Sequence, residues 1–281
     1  MIVPTLAAAI LLLNPALPRG AENPPLTAEA IMARVASNQD RSDQLRREYV
    51  YHQHIRIVTE KTNGTRMREE SADYVVTPTP DGTQKDLTLI AGHYRHKGGY
   101  LAFQGEPVPQ ADSLDGDLIH DFREDLANER SKDGLAHNLF PLTTSEQRNY
   151  AFRLLGQETL RGRTVYHVAF RPKDRNDLTW AGEAYIDAAD FQPVRVFTKL
   201  SRPIPFLIRT FLADLPGIGF DVEYGRQPDG EWFPVSFGTE FRFKLLMFVS
   251  RNISISLQNT DFERTHVNHR IQSLGPEQPP L

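Results

Sequence analysis

The sequence predicts a mainly β protein with a few helices, built around one large, strongly curved antiparallel sheet. The first observation is a long alternation between Phe237 and Leu257, in which nearly every odd position is apolar and Thr239 is an exception. A period of two is typical of a strand that buries one face. About twenty residues would span roughly 65 Å in one line, so this run must be broken, bent or paired. The second observation is a series of shorter alternating segments, which brings the expectation to about eleven strands.

The chain opens with an apolar run, Leu6–Leu13. The run is too short to span a membrane and is typical of the hydrophobic region of a Sec-type signal peptide, although no Lys or Arg precedes it. We expect residues 1–21 to be cleaved and the mature chain to be periplasmic or otherwise exported, without a transmembrane segment. An uncleaved apolar anchor is the alternative. Cysteine is absent, so an exported chain would depend on no disulfide.

Three segments have the spacing of helices. The segment 27–47 begins with Thr27, a good N-cap. The segment 117–129 comes shortly after Asp115, which is available as a cap. Residues 203–215 form a strongly apolar segment bounded by prolines, which fits a short amphipathic helix. We expect all three to cover the sheet.

The strands are separated by turn signals. Asn63-Gly64 and Asp81-Gly82 are typical of tight hairpins, because both residue types tolerate a positive φ. Arg161-Gly162 and Asp187–Asp190 mark two later turns. The strands expected between these turns and before the final alternation share the same period of two: Tyr49–Ile57, Arg66–Val76, Leu87–Tyr94, Tyr100–Phe103, Phe152–Gln157, Thr164–Arg171, Gly182–Ile186 and Val194–Leu200.

Charge and motifs narrow the functional classes. The net charge of −4 and the lack of a basic stripe argue against nucleic-acid binding. His52 and His54 share a strand face without a third ligand, and the acidic segment 112–125 lacks the ligand spacing of a calcium loop, so we expect no metal and no cofactor. No catalytic motif is present. The carboxylates on or beside strands, considered for glycoside hydrolysis, are Glu183, Asp187, Asp221 and Glu223, but no spacing selects an acid–base pair among them.

The apolar face of the bent sheet then becomes the candidate site. Either the helices fill it as a core, or one of them acts as a lid over a cavity for a hydrophobic ligand. The expected lining residues are large and apolar, with two of them on the proline-bounded segment: Phe220, Tyr224, Phe237, Phe241, Phe243, Leu245, Met247, Phe206 and Phe211.

Four short motifs resemble the periplasmic lipoprotein-carrier superfamily, which includes outer-membrane lipoprotein-sorting proteins and a sigma-factor regulator. They are Gly162–Val168, Trp180–Asp187, Phe191–Arg195 and Gly230–Val235. The resemblance implies an open half-barrel over residues 22–271, helices on its concave side, and a lipid or acyl ligand there. Residues 272–281 are expected to be a disordered tail. The carrier's cavity-gating arginine matches no single position here.

The expected function is therefore that of a monomeric, non-catalytic envelope protein that binds or carries a lipid-like ligand. The first alternative is an envelope interaction or stress-regulatory module that binds a protein partner. The second is an enzyme that acts on glycans.

Overall fold

The computed structural model describes residues 26–79, 82–105, 114–127, 140–174, 180–201, 218–245 and 249–265. Its strands are β1 (Tyr49–Glu60), β2 (Arg66–Thr79), β3 (Gly82–His96), β4 (Gly99–Gln104), β5 (Tyr150–Leu160), β6 (Arg163–Pro172), β7 (Trp180–Asp187), β8 (Pro193–Leu200), β9 (Gly219–Arg226), β10 (Trp232–Leu245) and β11 (Val249–Arg264). The helices are α1 (Ala28–Arg46), α2 (Leu114–Ala127) and α3 (Thr144–Gln147).

The eleven strands form one antiparallel sheet in the order β4-β3-β2-β1-β11-β10-β9-β8-β7-β6-β5. The sheet is open, with β4 and β5 at its two edges. Its centre joins the two ends of the described chain, because β1 pairs with β11 from Tyr49 opposite Arg264 to Glu60 opposite Asn252. The predicted mainly β fold with one large open antiparallel sheet is confirmed.

Turn chemistry explains how neighbouring strands reverse. Gly64 has a φ of 80° in the turn between β1 and β2, as the Asn63-Gly64 pair predicts. Arg161 and Gly162 both have positive φ, at 53° and 78°, between β5 and β6. The two halves of the long alternation pair as β10 and β11, from Ser236 opposite Gln258 to Leu245 opposite Val249.

Helix α1 begins as predicted, with the Thr27 side chain accepting a hydrogen bond from the N–H of Ala30. It buries Ile31, Met32 and Val35 in the same core as the inward residues of the strands. Apolar burial of this kind is the dominant stabilising contribution to such a core.

The prediction for the start of the second helix was wrong in one detail. Helix α2 begins at Leu114, so Asp115 lies in the first turn and not at the cap. Its carboxylate accepts two hydrogen bonds from Arg251 of β11, at 2.7 and 3.0 Å. The acidic residue at this end of the helix is therefore part of a tertiary ion pair.

Several expectations fall on other parts of the chain. The signal peptide at 1–21, the helix at 203–215 and the tail at 272–281 lie outside the described residues. Within the described ranges, no helix is long and apolar enough to cross a membrane.

Candidate functional site

One face of the sheet, here called the inner face, carries helices α1 and α2. Directly opposed residues of antiparallel strands share a face, so the register identifies its members. On β9 and β10 they include Phe220 opposite Thr239 and Val222 opposite Phe237. On β7 and β8 they include Gly182 opposite Thr198. The inner face therefore extends across the whole sheet.

Five aromatic rings from four elements lie on this face in two contacting groups. Phe220 stacks on Phe237 with ring centroids 5.3 Å apart, and Trp180 meets Phe220 edge-on at 4.9 Å. Phe122 of α2 meets Phe241 edge-on at 5.6 Å. We call these five residues the aromatic patch. Four of its rings are only half-buried, while Phe237 is 4% exposed.

The predicted lining residues divide into three groups. Phe220, Tyr224, Phe237 and Phe241 lie on the inner face, where Tyr224 and Phe237 are buried core residues and the other two are half-buried. Phe243 and Leu245 belong to the backbone ladder of β10, where they oppose Arg251 and Val249. The remaining three, Phe206, Phe211 and Met247, lie outside the described residues.

Helix α2 is attached to the inner face by polar contacts as well as apolar ones. Asp115 binds Arg251 near its beginning, and the ammonium group of Lys85 on β3 donates to the carbonyl of Leu126 near its end, at 2.6 Å. Ile119, fully buried, lies between them. The helix thus crosses the strands from β11 toward β3.

A buried charged cluster lies where α2 crosses β2. Glu70 accepts a hydrogen bond from Arg68 Nη2 at 3.0 Å and a second from Arg123 Nη1. All three side chains are buried: Arg68 is 6% exposed, Glu70 3% and Arg123 9%. Nearby, burial is the main cause that raises the pKa of Tyr74 to about 12, so its hydroxyl stays neutral. The only sequence signal for this cluster is the alternation in β2, where Arg68 and Glu70 occupy even-numbered positions, as the inward-facing apolar residues do.

The carboxylates considered for glycoside hydrolysis are engaged in ion pairs. Glu183 contacts His167 at 2.8 Å, Glu223 contacts Arg161 at 2.6 Å, and Asp221 accepts from Arg195 Nε at 2.8 Å. These contacts occupy the carboxylates with basic side chains. A general acid for glycoside hydrolysis needs an environment that favours its protonated form.

Asp187 has a structural role in the turn after β7. It accepts hydrogen bonds from the backbone N–H groups of Ala189 and Asp190, each at 2.9 Å, and from Arg163 at 3.0 Å. Burial opposes ionisation, but these hydrogen bonds outweigh it and hold the pKa of Asp187 below its ordinary value of 3.8. Its chemistry is that of a turn-stabilising carboxylate.

The paired histidines of β1 lie on the opposite, outer face. His52 is exposed, and His54 Nδ1 is 2.6 Å from a carboxylate oxygen of Asp73. Among the described residues, no group of three or more metal-ligating side chains comes together.

A cleft of about 690 Å³ also lies mostly on the outer side of the central strands. Its lining is largely charged or polar and comes from four strands: Arg56, Val58, Glu60, Arg66, Glu240, Phe241, Arg242, Asn252, Ile253 and Ser254. Phe241 is the one member shared with the aromatic patch. The cleft is therefore a largely polar concavity that shares Phe241 with the predicted apolar lining.

No family model matches the chain, and no curated protein matches it. Solved structures do match. An outer-membrane lipoprotein-sorting protein domain from Vibrio parahaemolyticus is 14% identical, with a TM-score of 0.40, over 86% of this chain and 95% of that one. A DUF1329 family protein from Desulfovibrio piger is 10% identical, with a TM-score of 0.40, over 86% and 94%. A LolA superfamily protein from Nitrosomonas europaea is 12% identical, with a TM-score of 0.34, over 85% and 94%.

A lipoprotein-sorting domain and a LolA superfamily protein are thus among the solved structures that this chain resembles. At these TM-scores we take neither a ligand nor a site residue from them. The candidate site rests on this chain's own side chains.

Proposed function

We propose that this chain is an exported, non-catalytic binding protein for an acyl-type hydrophobic ligand, held against the aromatic patch of the inner face. The observation that carries the proposal is the half-buried state of Trp180, Phe220 and Phe241 on the helix-bearing face of an open sheet. Rings that only completed a core would be buried as Phe237 is. A partly open apolar surface is typical of a ligand-binding site.

Two further features support this proposal. The described carboxylates considered for catalysis are held in ion pairs or in a turn, which fits a binding protein better than an enzyme. The apolar run at the start of the sequence favours export. The segment 203–215 would then cover the ligand, with Phe206 and Phe211 completing the lining together with Phe243, Leu245 and Met247.

The proposal is tested first by isolating the protein from its native envelope under non-denaturing conditions. Native mass spectrometry should show an added mass, and organic extraction should release a lipid of that mass. A purified chain that carries no lipid, and that fails to take up an uncharged apolar fluorophore, would contradict the proposal.

The location of the site is tested with a matched pair of variants. Phe220→Ser removes a ring from the inner face, while Phe197→Ser removes an exposed ring from the outer face of the neighbouring strand, where Phe197 opposes Asp221. We expect Phe220→Ser to weaken fluorophore binding about 10-fold or more, because the apolar contact between the phenyl ring and the fluorophore is lost. Phe197→Ser should leave binding unchanged. Thermal unfolding of both variants separates lost binding from lost folding.

A second candidate function is supported by the edge of the sheet. Strand β5 is an edge strand of the sheet that the described residues form, and on it Leu154 and Leu155 are 36% and 40% exposed. Such an edge is a template for an added strand from a protein partner. Envelope extracts should then yield a stoichiometric partner with the unmodified chain but not with Leu155→Lys. Leu101→Lys on the opposite edge serves as the control.

A further inference from the structure

Two polar atoms at neighbouring positions of the inner face have no hydrogen-bond partner among the described residues. They are Arg68 Nε and Thr59 Oγ1, in residues that are 5% and 0% exposed. A buried donor or acceptor without a partner is costly, so such atoms are rare in folded proteins. Each calls for an explanation.

The two atoms belong to residues that face each other directly. Thr59 of β1 opposes Arg68 of β2 in the antiparallel register. Side chains of directly opposed residues start about 5 Å apart on the same face. The two side chains therefore leave the sheet from neighbouring positions of the inner face.

The charge at this point is also unbalanced. Arg68 and Arg123 share one carboxylate, that of Glu70. Within the described ranges, the other carboxylate in contact with the cluster is Glu124, 3.9 Å from Arg123 and 63% exposed, and so largely screened by water. Two buried guanidinium groups on one buried carboxylate leave one excess positive charge, which favours a buried anion.

The surroundings fix the Arg68 guanidinium in place. Its central carbon lies 5.0 Å from the ring centre of Phe103 and 5.9 Å from that of Tyr94. Phe103 fits there because its neighbour is Gly92, where a Cβ would approach the ring to 2.7 Å. These contacts fix the position of the guanidinium, whose Nε–H has no partner among the described residues.

The same row of the sheet connects this point to the aromatic patch. Across β10, β11, β1, β2, β3 and β4 the row contains Phe241, Ile253, Thr59, Arg68, Tyr94 and Leu101. Phe241 is three strand spacings from Arg68, roughly 14 Å. A ligand with an apolar chain on the patch therefore has a polar end within reach of Arg68.

We propose that Arg68 and Thr59 bind the carboxylate of a single-chain amphiphile such as a fatty acid, whose apolar chain lies on the aromatic patch. The inference rests on the proposed ligand-binding function and adds the class of ligand. One carboxylate has the single charge that balances the cluster, and its two oxygens match the two donors, Arg68 Nε–H and Thr59 Oγ–H.

The test compares dodecanoate with dodecan-1-ol, which has the same chain without the charge. Each displaces the uncharged fluorophore N-phenyl-1-naphthylamine from the full chain at pH 8. We expect dodecanoate to displace it at about 10- to 100-fold lower concentration, the range for hydrogen bonds to a charged group.

Two variants locate the preference. Thr59→Val keeps the shape of the side chain and removes only the unpaired hydroxyl, so it should fold at least as well as the unmodified chain. Arg68→Met removes the charge. We expect the preference for dodecanoate to fall several-fold in the first and to nearly disappear in the second, while dodecan-1-ol is unaffected. Arg56→Met, on the outer face of β1, should change neither affinity.

The outcomes are distinguishable. Equal displacement by the two compounds would overturn the carboxylate site and leave the hydrophobic ligand site standing. A preference for dodecanoate that survives in both Thr59→Val and Arg68→Met would also overturn it. If neither compound displaces the fluorophore, or the fluorophore does not bind, both proposals are overturned.

Discussion

On the inner face of the sheet, Arg68, Glu70 and Arg123 are more than nine-tenths buried, whereas the outer face carries pairs such as Arg161 and Glu223 that are 62% and 27% exposed. The same residue types therefore have different energetic roles on the two faces. A buried charge without its partner is strongly destabilising, while an exposed ion pair contributes little. The buried charged cluster on the inner face is therefore costly to maintain.

The largest expected difference between the faces follows from neutralising one carboxylate on each. Glu70→Gln leaves two buried guanidinium groups without a counter-charge and should lower the free energy of unfolding by about 3–5 kcal/mol. Glu223→Gln on the outer face should lower it by about 1 kcal/mol or less. Urea denaturation followed by circular dichroism measures both. Equal losses in the two variants would mean that the faces do not differ in this way.

Packing gives the second comparison, between two glycines. Gly182 lies on the inner face beneath the Phe170 ring, and a Cβ there would meet the Phe197 carbonyl and approach Thr198 Cα to 2.8 Å. Gly238 lies on the outer face, and a Cβ there would meet nothing within 4 Å. Gly182→Val should therefore cost about 1–3 kcal/mol or more, through overpacking.

Gly238→Val is the matched control, and it should change stability by about 0.5 kcal/mol or less, because valine suits a half-exposed strand. Both variants are measured in the same urea series. A stable Gly182→Val variant, or a strongly destabilised Gly238→Val variant, would contradict the assignment of the two faces.

The sequence predicted much of this architecture because its signals are local. The alternation from Phe237 to Leu257 identifies a face from one residue to the next, and Asn63-Gly64 identifies a reversal from the φ that its residues tolerate. Four of the predicted lining residues, among them Phe220 and Phe241, consequently lie on one face. Their contact with a ligand stays a prediction.

The buried cluster could not be predicted in the same way. Polar residues at Arg68 and Glu70 indicate an exposed strand end when only β2 is considered. The partner that buries them, Arg123, is 53 residues away from Glu70 in the chain, and no local pattern encodes that contact. Asp115 was likewise interpreted as a cap, because its partner Arg251 is 136 residues away.

The smallest expected effect concerns a carboxylate on the outer face. Glu69 binds Arg56 at 2.7 Å and Arg66 at 2.6 Å. Burial opposes its ionisation, but these two guanidinium groups outweigh burial and hold the pKa of Glu69 below its ordinary value of 4.5. A carboxylate with a lowered pKa stabilises the fold fully above its unfolded-state pKa, and loses that contribution as the pH falls through the folded-state pKa.

Glu69→Gln should therefore destabilise the chain by about 1 kcal/mol or less at pH 7, and the difference from the unmodified chain should shrink as the pH falls below 4.5. Urea midpoints at several pH values between neutral and acidic conditions measure this. High salt should reduce the neutral-pH difference as well, because these side chains are partly open to solvent. If Glu69→Gln is still less stable than the unmodified chain in acid, Glu69 stabilises the fold through packing and not through its charge. Its ion pairs would then be no evidence that charges on the two faces differ in energetic role.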